Sequence, residues 1–246
     1  MATVYAHTND GYVSRFNQSS WSNARANTAG TNVSSTGTQL TNGVSGERTA
    51  SRGGGYAFSI YRSFFFFDTS GISSNIDSAT FKVYGSVNTG GDLIAVKSNS
   101  DMETLGTADF GSIVGWNTTT DGSGGGDNES NVTKYSNEVT SWNASSYNDI
   151  TLNAQALADM RDDDKIYICL LNFDYDLKDV APTNYTAHRN GVAYTNYTGT
   201  SRDPYIDYTL APTVTDNSVF FGCNFWDLFM KRNFNIFNSW KGHKKE

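Results

Sequence analysis

Arg62-Ser63-Phe64-Phe65-Phe66-Phe67-Asp68 decides how this chain is read. Four consecutive phenylalanines between a charged entry and a polar exit are too few for a membrane span or an ordinary helix. They suit a central strand buried on both faces. The next run, Phe81-Lys-Val-Tyr-Gly-Ser-Val87, alternates apolar and polar residues, as a half-buried strand does. Between the two, Thr69 to Ser78 is rich in Ser, Asn, Asp and Gly, a composition that turns the chain. The pair reads as two paired strands that seed a sheet.

Working outward, Tyr56–Tyr61 leads into the phenylalanine run, and Leu93–Lys97 and Lys165–Phe173 are further strands, the latter deeply buried. Thr3–Ala6, Gly11–Phe16, Tyr147–Leu152 and Pro204–Leu210 also carry strand patterns, the last with Ile206, Tyr208 and Leu210 on one face. Asn153 caps a short helix ending near Met160. Arg189-Asn-Gly-Val192 predicts a hairpin with a type I′ turn. Residues 17–55 read as loop with short strand pieces, held by Trp21, and residues 98–131 as loop. The glycines of Asp121-Gly-Ser-Gly-Gly-Gly-Asp-Asn128 need a reason to be ordered that the sequence does not supply. Many strands and almost no helix predict an all-β jelly-roll β-sandwich over residues 1–211.

Composition narrows the function classes. The formal charge of −7 lacks the basic face of a nucleic-acid binder, so no nucleic-acid partner is expected. Residues 213–246 hold five Lys/Arg and three Asp/Glu, a balance of +2 against −9 for the rest, and form a separate regime, the tail 212–246. Neither a secretory leader nor a transmembrane run is visible, which disfavours a membrane partner. Cys169 lies in an apolar run and reads as a small buried hydrophobe, with pairing to Cys223 as the alternative.

Several segments in order resemble the DNRLRE-type domain, a jelly-roll module related to carbohydrate-binding modules. Asp10-Gly-Tyr-Val13 is similar to its opening strand, and Arg62–Asp68 and Ile76-Asp-Ser-Ala-Thr-Phe-Lys-Val-Tyr84 to its core segments. Val139-Thr-Ser-Trp142 with Tyr147–Leu152, and Arg202-Asp-Pro-Tyr-Ile-Asp-Tyr208, are similar to its later strands. The resemblance implies fold and carries no catalytic group. Similar single-domain chains occur among structural proteins of marine bacteriophages. With no leader visible, the expectation is a non-enzymatic virion structural protein, a capsid decoration or tail component on the virion surface. The alternative is a carbohydrate-binding module of a secreted or surface bacterial protein.

Candidate sites are sparse. Asp162-Asp-Asp164 and Asp174-Tyr-Asp176 could supply carboxylates to a structural Ca²⁺, but a solvated turn is the favoured reading, and no cofactor is expected. His7, His188 and His243 lack metal-ligand spacing. Trp21, Trp116, Tyr185, Tyr194 and Tyr197 fall in loop or edge contexts where they could stack on a glycan, against the plainer reading as core and cover. The tail, wound as a helix from Asn224, gathers Phe225, Trp226, Phe229, Met230, Ile236, Phe237 and Trp240 on one face. Such a face must be covered by its own sandwich, by a partner subunit (another virion protein or a copy of itself) or by a membrane surface.

Overall fold

The computed structural model describes residues 1–36, 39–51, 55–99, 104–183 and 187–212, with the backbone alone along 39–43. All the strands belong to one compact unit, Met1–Ala211. At its centre runs β5 (Tyr56–Asp68). Phe64, Phe65, Phe66 and Phe67 are 0, 0, 4 and 0% exposed. Because strand side chains alternate, Phe65 and Phe67 enter one core while Phe64 and Phe66 enter another. Each ring buried this way contributes about 1.5–3 kcal/mol of apolar transfer.

Among the described residues eleven strands make the fold. They are β1 (Ala2–Tyr5), β2 (Gly11–Gln18), β3 (Asn32–Ser34), β4 (Gln39–Ala50), β5, β6 (Ile76–Asn88), β7 (Leu93–Lys97), β8 (Tyr147–Thr151), β9 (Lys165–Asn172), β10 (Arg189–Ala193) and β11 (Tyr205–Leu210). Two helices, α1 (Trp21–Arg25) and α2 (Ala154–Asp162), join them. All pairings are antiparallel. One layer runs β1-β11-β6-β8. In the other, β2 lies on one edge of β5, while β4 and then β9 share the opposite edge. The end of β6 crosses over: Gly85, Val87 and Asn88 pair with β10, so this strand belongs to both layers. The protein is an all-β sandwich.

The inner core fills the space between the layers, with Phe81, Val83, Ile150 and Ile206 meeting Phe65, Phe67, Ile168 and Leu170. α2 plugs one end through Ala156 and Met160, and Asn153 caps it by accepting from the Ala156 N–H at 3.1 Å. The second core lies on the outer face of the larger layer. There α1, the 3₁₀ turn Thr107–Gly111 and the π turn Phe173–Leu177 cover Ile60, Phe64, Phe66 and Ile94.

Three expectations are corrected. β5 and β6 do not pair with each other; they lie in opposite layers, with Phe81 edge-on to Phe65 and Phe67 across the core. Arg189-Asn-Gly-Val192 is not a hairpin turn but the body of β10, where the register shifts against both neighbours. A Cβ on Gly191 would lie 2.7 Å from the Val87 nitrogen, so glycine serves close backbone approach there rather than a turn. Residues 39–50, read as loop, form the twelve-residue β4. Its polar composition hides a strand held by two neighbours, β5 and β10.

The glycine-rich segment has its reason for order in a buried ionic network. Arg62 grips Asp176 with two hydrogen bonds of 2.7 Å and donates to the Phe110 carbonyl. Arg25 donates to the carbonyls of Asp176, Thr119, Gly126 and Leu177. Asp179 accepts from Trp21, Thr120, the Asp121 N–H and the Gly126 N–H. All four charged side chains are fully buried, and their charges balance.

Candidate functional site

The two outer faces of the sandwich differ. On the larger layer the outward side chains of β5 from Phe58 to Phe66 are buried beneath the second core, while Tyr56 at the start of the strand is exposed. On the β1-β11-β6-β8 layer no outward residue is buried: Thr3, Tyr5, Thr80, Lys82, Tyr84, Tyr147, Asp149, Thr151, Tyr205, Asp207 and Thr209 are all exposed or half-exposed.

Four of those side chains form a row of tyrosines. Strand alternation turns each outward while its neighbours, Val4, Val83, Asn148 and Ile206, turn in. Tyr5 stands opposite Tyr205, and Tyr84 opposite Tyr147. Tyr147 and Tyr205 meet over β6. Ring centroids lie 5.6 Å apart for Tyr5–Tyr205, 5.1 Å for Tyr205–Tyr147 and 5.4 Å for Tyr147–Tyr84. The last two steps are edge-to-face, the favoured geometry for aromatic quadrupoles. At the far end Arg202 stacks on Tyr84 at 4.5 Å and on Tyr197 at 4.3 Å.

Polar groups rim the row. Lys82 binds Asp149 at 2.7 Å, and Thr3 donates to Asp207 at 2.6 Å. The Tyr84 hydroxyl donates to the Ser145 carbonyl and the Tyr147 hydroxyl to the Asp203 carbonyl. Burial, with help from neighbouring phenols and Asp203, pushes the Tyr147 pKa up to about 12. Burial likewise raises Tyr205, so both remain neutral phenols at neutral pH. Beyond the row, at the ends of β6 and β8, a pocket of about 570 Å³ is lined by Asn88, Ser141, Trp142, Asn143, Ala144 and Asn148. Rings with polar hydroxyls, a cation and amide-lined space can hold a ligand that is apolar on its faces and hydroxylated at its edges.

Of the aromatics singled out in the sequence, Tyr197 is the one among the described residues that joins this surface. Trp21 is 4% exposed and bonds Asp179 through its indole N–H. Tyr194 is fully buried, its hydroxyl 2.7 Å from Ser63. Trp116 is half-buried, with the guanidinium groups of Arg25 and Arg62 at 4.9 and 4.1 Å from its ring. Trp21 and Tyr194 are core residues. Tyr185 lies outside the described residues, as do the docking candidates Phe225, Trp226, Phe229, Met230, Ile236, Phe237 and Trp240, and Cys223. Cys169 is a buried free thiol, raised by desolvation. Tyr5, Tyr84, Tyr147 and Tyr205 are not among the sequence candidates, which lie in loop and edge contexts. The signal was present, since each sits at an outward position of an alternating strand.

The acidic segments separate. Asp176 is spent on Arg62, while Asp174 joins Asp92 and Glu138, whose nearest carboxylate oxygens lie within 4.8 Å of one another. Among the described residues this is the one group able to offer a cation three carboxylates. Partial burial, then a hydrogen bond with Asp92, raises the Glu138 pKa. Asp162 pairs with Arg161 and Asp163 with Lys97 beside a cavity of about 600 Å³. In that cavity wall Tyr135 and Lys97 donate to Asp159 at 2.6 and 2.9 Å. Burial pushes Asp159 up, but these bonds and one from Gln155 outweigh it and hold the carboxyl below its usual range.

Neither a family model nor a curated protein sequence matches this chain.

Proposed function

We propose that this chain is a non-enzymatic display domain that contacts carbohydrate through the Tyr5–Tyr205–Tyr147–Tyr84 row. The observation that carries this is the contrast between the two outer faces: one is covered along most of β5 by a second core, the other presents aromatic rings with a polar rim. Sugar rings offer polarised C–H groups to the negative face of an aromatic ring and hydroxyls to the rim, and this row supplies both. Ring spacings of 5.1–5.6 Å suit an extended chain of sugar units laid along it better than a single deep-bound monosaccharide.

The non-enzymatic part rests on how the buried ionisable groups are used. Arg62 with Asp176, Asp10 with Thr195, and Asp159 with Lys97 and Tyr135 are each tied into the framework. On the motif resemblance to DNRLRE-type modules, we propose further that the domain stands on a virion surface, facing a host-surface glycan and attached to other virion proteins or its own copies through the aromatic tail. The same face would serve a bacterial surface module.

The test is a glycan array probed with the full-length chain and with Tyr84→Ala/Tyr147→Ala/Tyr205→Ala. Binding by the first, lost in the second at an unchanged circular dichroism spectrum, is the expected result. A blank array for the unaltered chain sinks the carbohydrate reading.

A further inference from the structure

We infer that Arg25 is a built-in cation seated in an oxygen cage of the kind that holds a hard divalent ion, and that a chain lacking this side chain binds Ca²⁺ in its place. Every hydrogen-bond and ion-pair partner of the guanidinium is an oxygen, and the Trp116 ring lies 4.9 Å from it. The carbonyls of Asp176, Gly126, Thr119 and Leu177 accept its hydrogen bonds at 2.5, 2.7, 3.0 and 3.3 Å. Carboxylate oxygens of Asp179 and Asp176 lie at 3.5 and 3.7 Å. Four carbonyls and two carboxylates, the Asp176 carboxylate shared with Arg62, match Ca²⁺ ligands in kind and number, since that ion takes about 6–8 oxygens; they surround three separate nitrogens, so the cage would close inward around a single ion.

The cage is also built like an ion site. Its oxygens come from two segments: residues 119–126, which carry the glycine-rich turn, and residues 176–179 after β9. The segments are joined by the Ser123–Val180 bridge, by backbone hydrogen bonds from Gly124, Asn128 and Ala181, and by the Asp179 carboxylate. The guanidinium adds four further bonds across the same seam. Gly126 lies so close that a Cβ there would run into the Thr119 carbonyl and sit 2.9 Å from Arg25 Nη1. Positive φ at Gly122 and Gly124 lets the loop fold its carbonyls inward. Arg25, Arg62, Asp176 and Asp179 together are neutral and fully buried, so removing Arg25 leaves one uncompensated negative charge among inward-facing carbonyl dipoles. That combination draws a small cation. Arg25 itself pays for its burial with a lowered pKa, which Asp176 and Asp179 partly restore.

The experiment compares the full-length chain with Arg25→Ala in EDTA, in Ca²⁺ and in Mg²⁺, reading the thermal midpoint. The unaltered chain is expected to melt at the same temperature in all three. Arg25→Ala should melt several degrees lower in EDTA and regain at least half of the loss in Ca²⁺. It should regain less in Mg²⁺, which tolerates irregular cages poorly. Adding Asp179→Asn to Arg25→Ala should abolish the recovery. If Arg25→Ala does not fold in EDTA, refolding from urea with and without Ca²⁺ decides: recovery only with Ca²⁺ supports the cage, and recovery in neither overturns it. A folded Arg25→Ala whose midpoint ignores Ca²⁺ overturns it too. Equal stabilisation of both proteins by Ca²⁺ assigns the effect to another site, the Asp92–Glu138–Asp174 group first, and also overturns it.

Discussion

Single side chains in this protein carry unusual electrostatic weight. Asp10 is fully buried, takes hydrogen bonds from the Thr195 N–H and hydroxyl, and is pushed by burial from 3.8 up to about 7. The folded chain therefore keeps a proton that the unfolded chain releases near 3.8. Asp10's contribution to stability is greatest below that value and weakens as the pH climbs toward about 7. Asp10→Asn keeps an oxygen for Thr195 and removes the titration. The thermal midpoint of the unaltered chain should fall relative to that of the variant across this window; parallel profiles would contradict it. Arg62 makes the opposite case. Its two bonds to Asp176 are made at zero exposure, so Arg62→Met strands a buried carboxylate and should cost about 3–5 kcal/mol in urea unfolding.

Among the elements, β5 and β10 show how strand sequences mislead or inform. Phe65→Ala removes a ring packed against Phe81 and Tyr194 and should cost about 3–5 kcal/mol. Gly191→Ala forces a methyl onto the Val87 nitrogen and the Ser86 hydroxyl and should cost about 1–3 kcal/mol. A Gly191→Ala chain as stable as its parent would mean that β10 yields there. The first position was legible because a run of large apolar residues admits few environments. The second was not: Asn190-Gly191 has the local chemistry of a turn, and only β4 and β6, distant in sequence, make it a strand. β4 was hidden in the same way, by Gly43, Gly46 and a polar composition that its neighbours override. The tyrosine row was half-legible. Alternation told which way Tyr84, Tyr147 and Tyr205 point, but only the order β1-β11-β6-β8 brings them side by side. The ionic cage was illegible, since Arg25, Thr119 and Asp176 are joined by no motif.

For the whole molecule, the compact unit ends at Ala211. A chain stopped there should keep the cooperative unfolding and midpoint of the full-length protein, checked by calorimetry; loss of folding would make the tail part of the sandwich. The first and last strands pair, Ala2 with Tyr208 and Tyr5 with Tyr205, so refolding must close the longest loop in the chain and should be slow for its size. The same pairing sets how the domain bears a mechanical load. Ala2 and Tyr208 stand side by side at the outer end of their ladder, so tension between the chain ends would peel β1 from β11 one hydrogen bond at a time. A pull delivered through a ligand on Tyr84 instead enters β6, flanked on both edges by β11 and β8 and continued into the second layer by β10. Those bonds would resist together in shear. The sandwich is weak where its ends are drawn apart and strong where its exposed face is gripped.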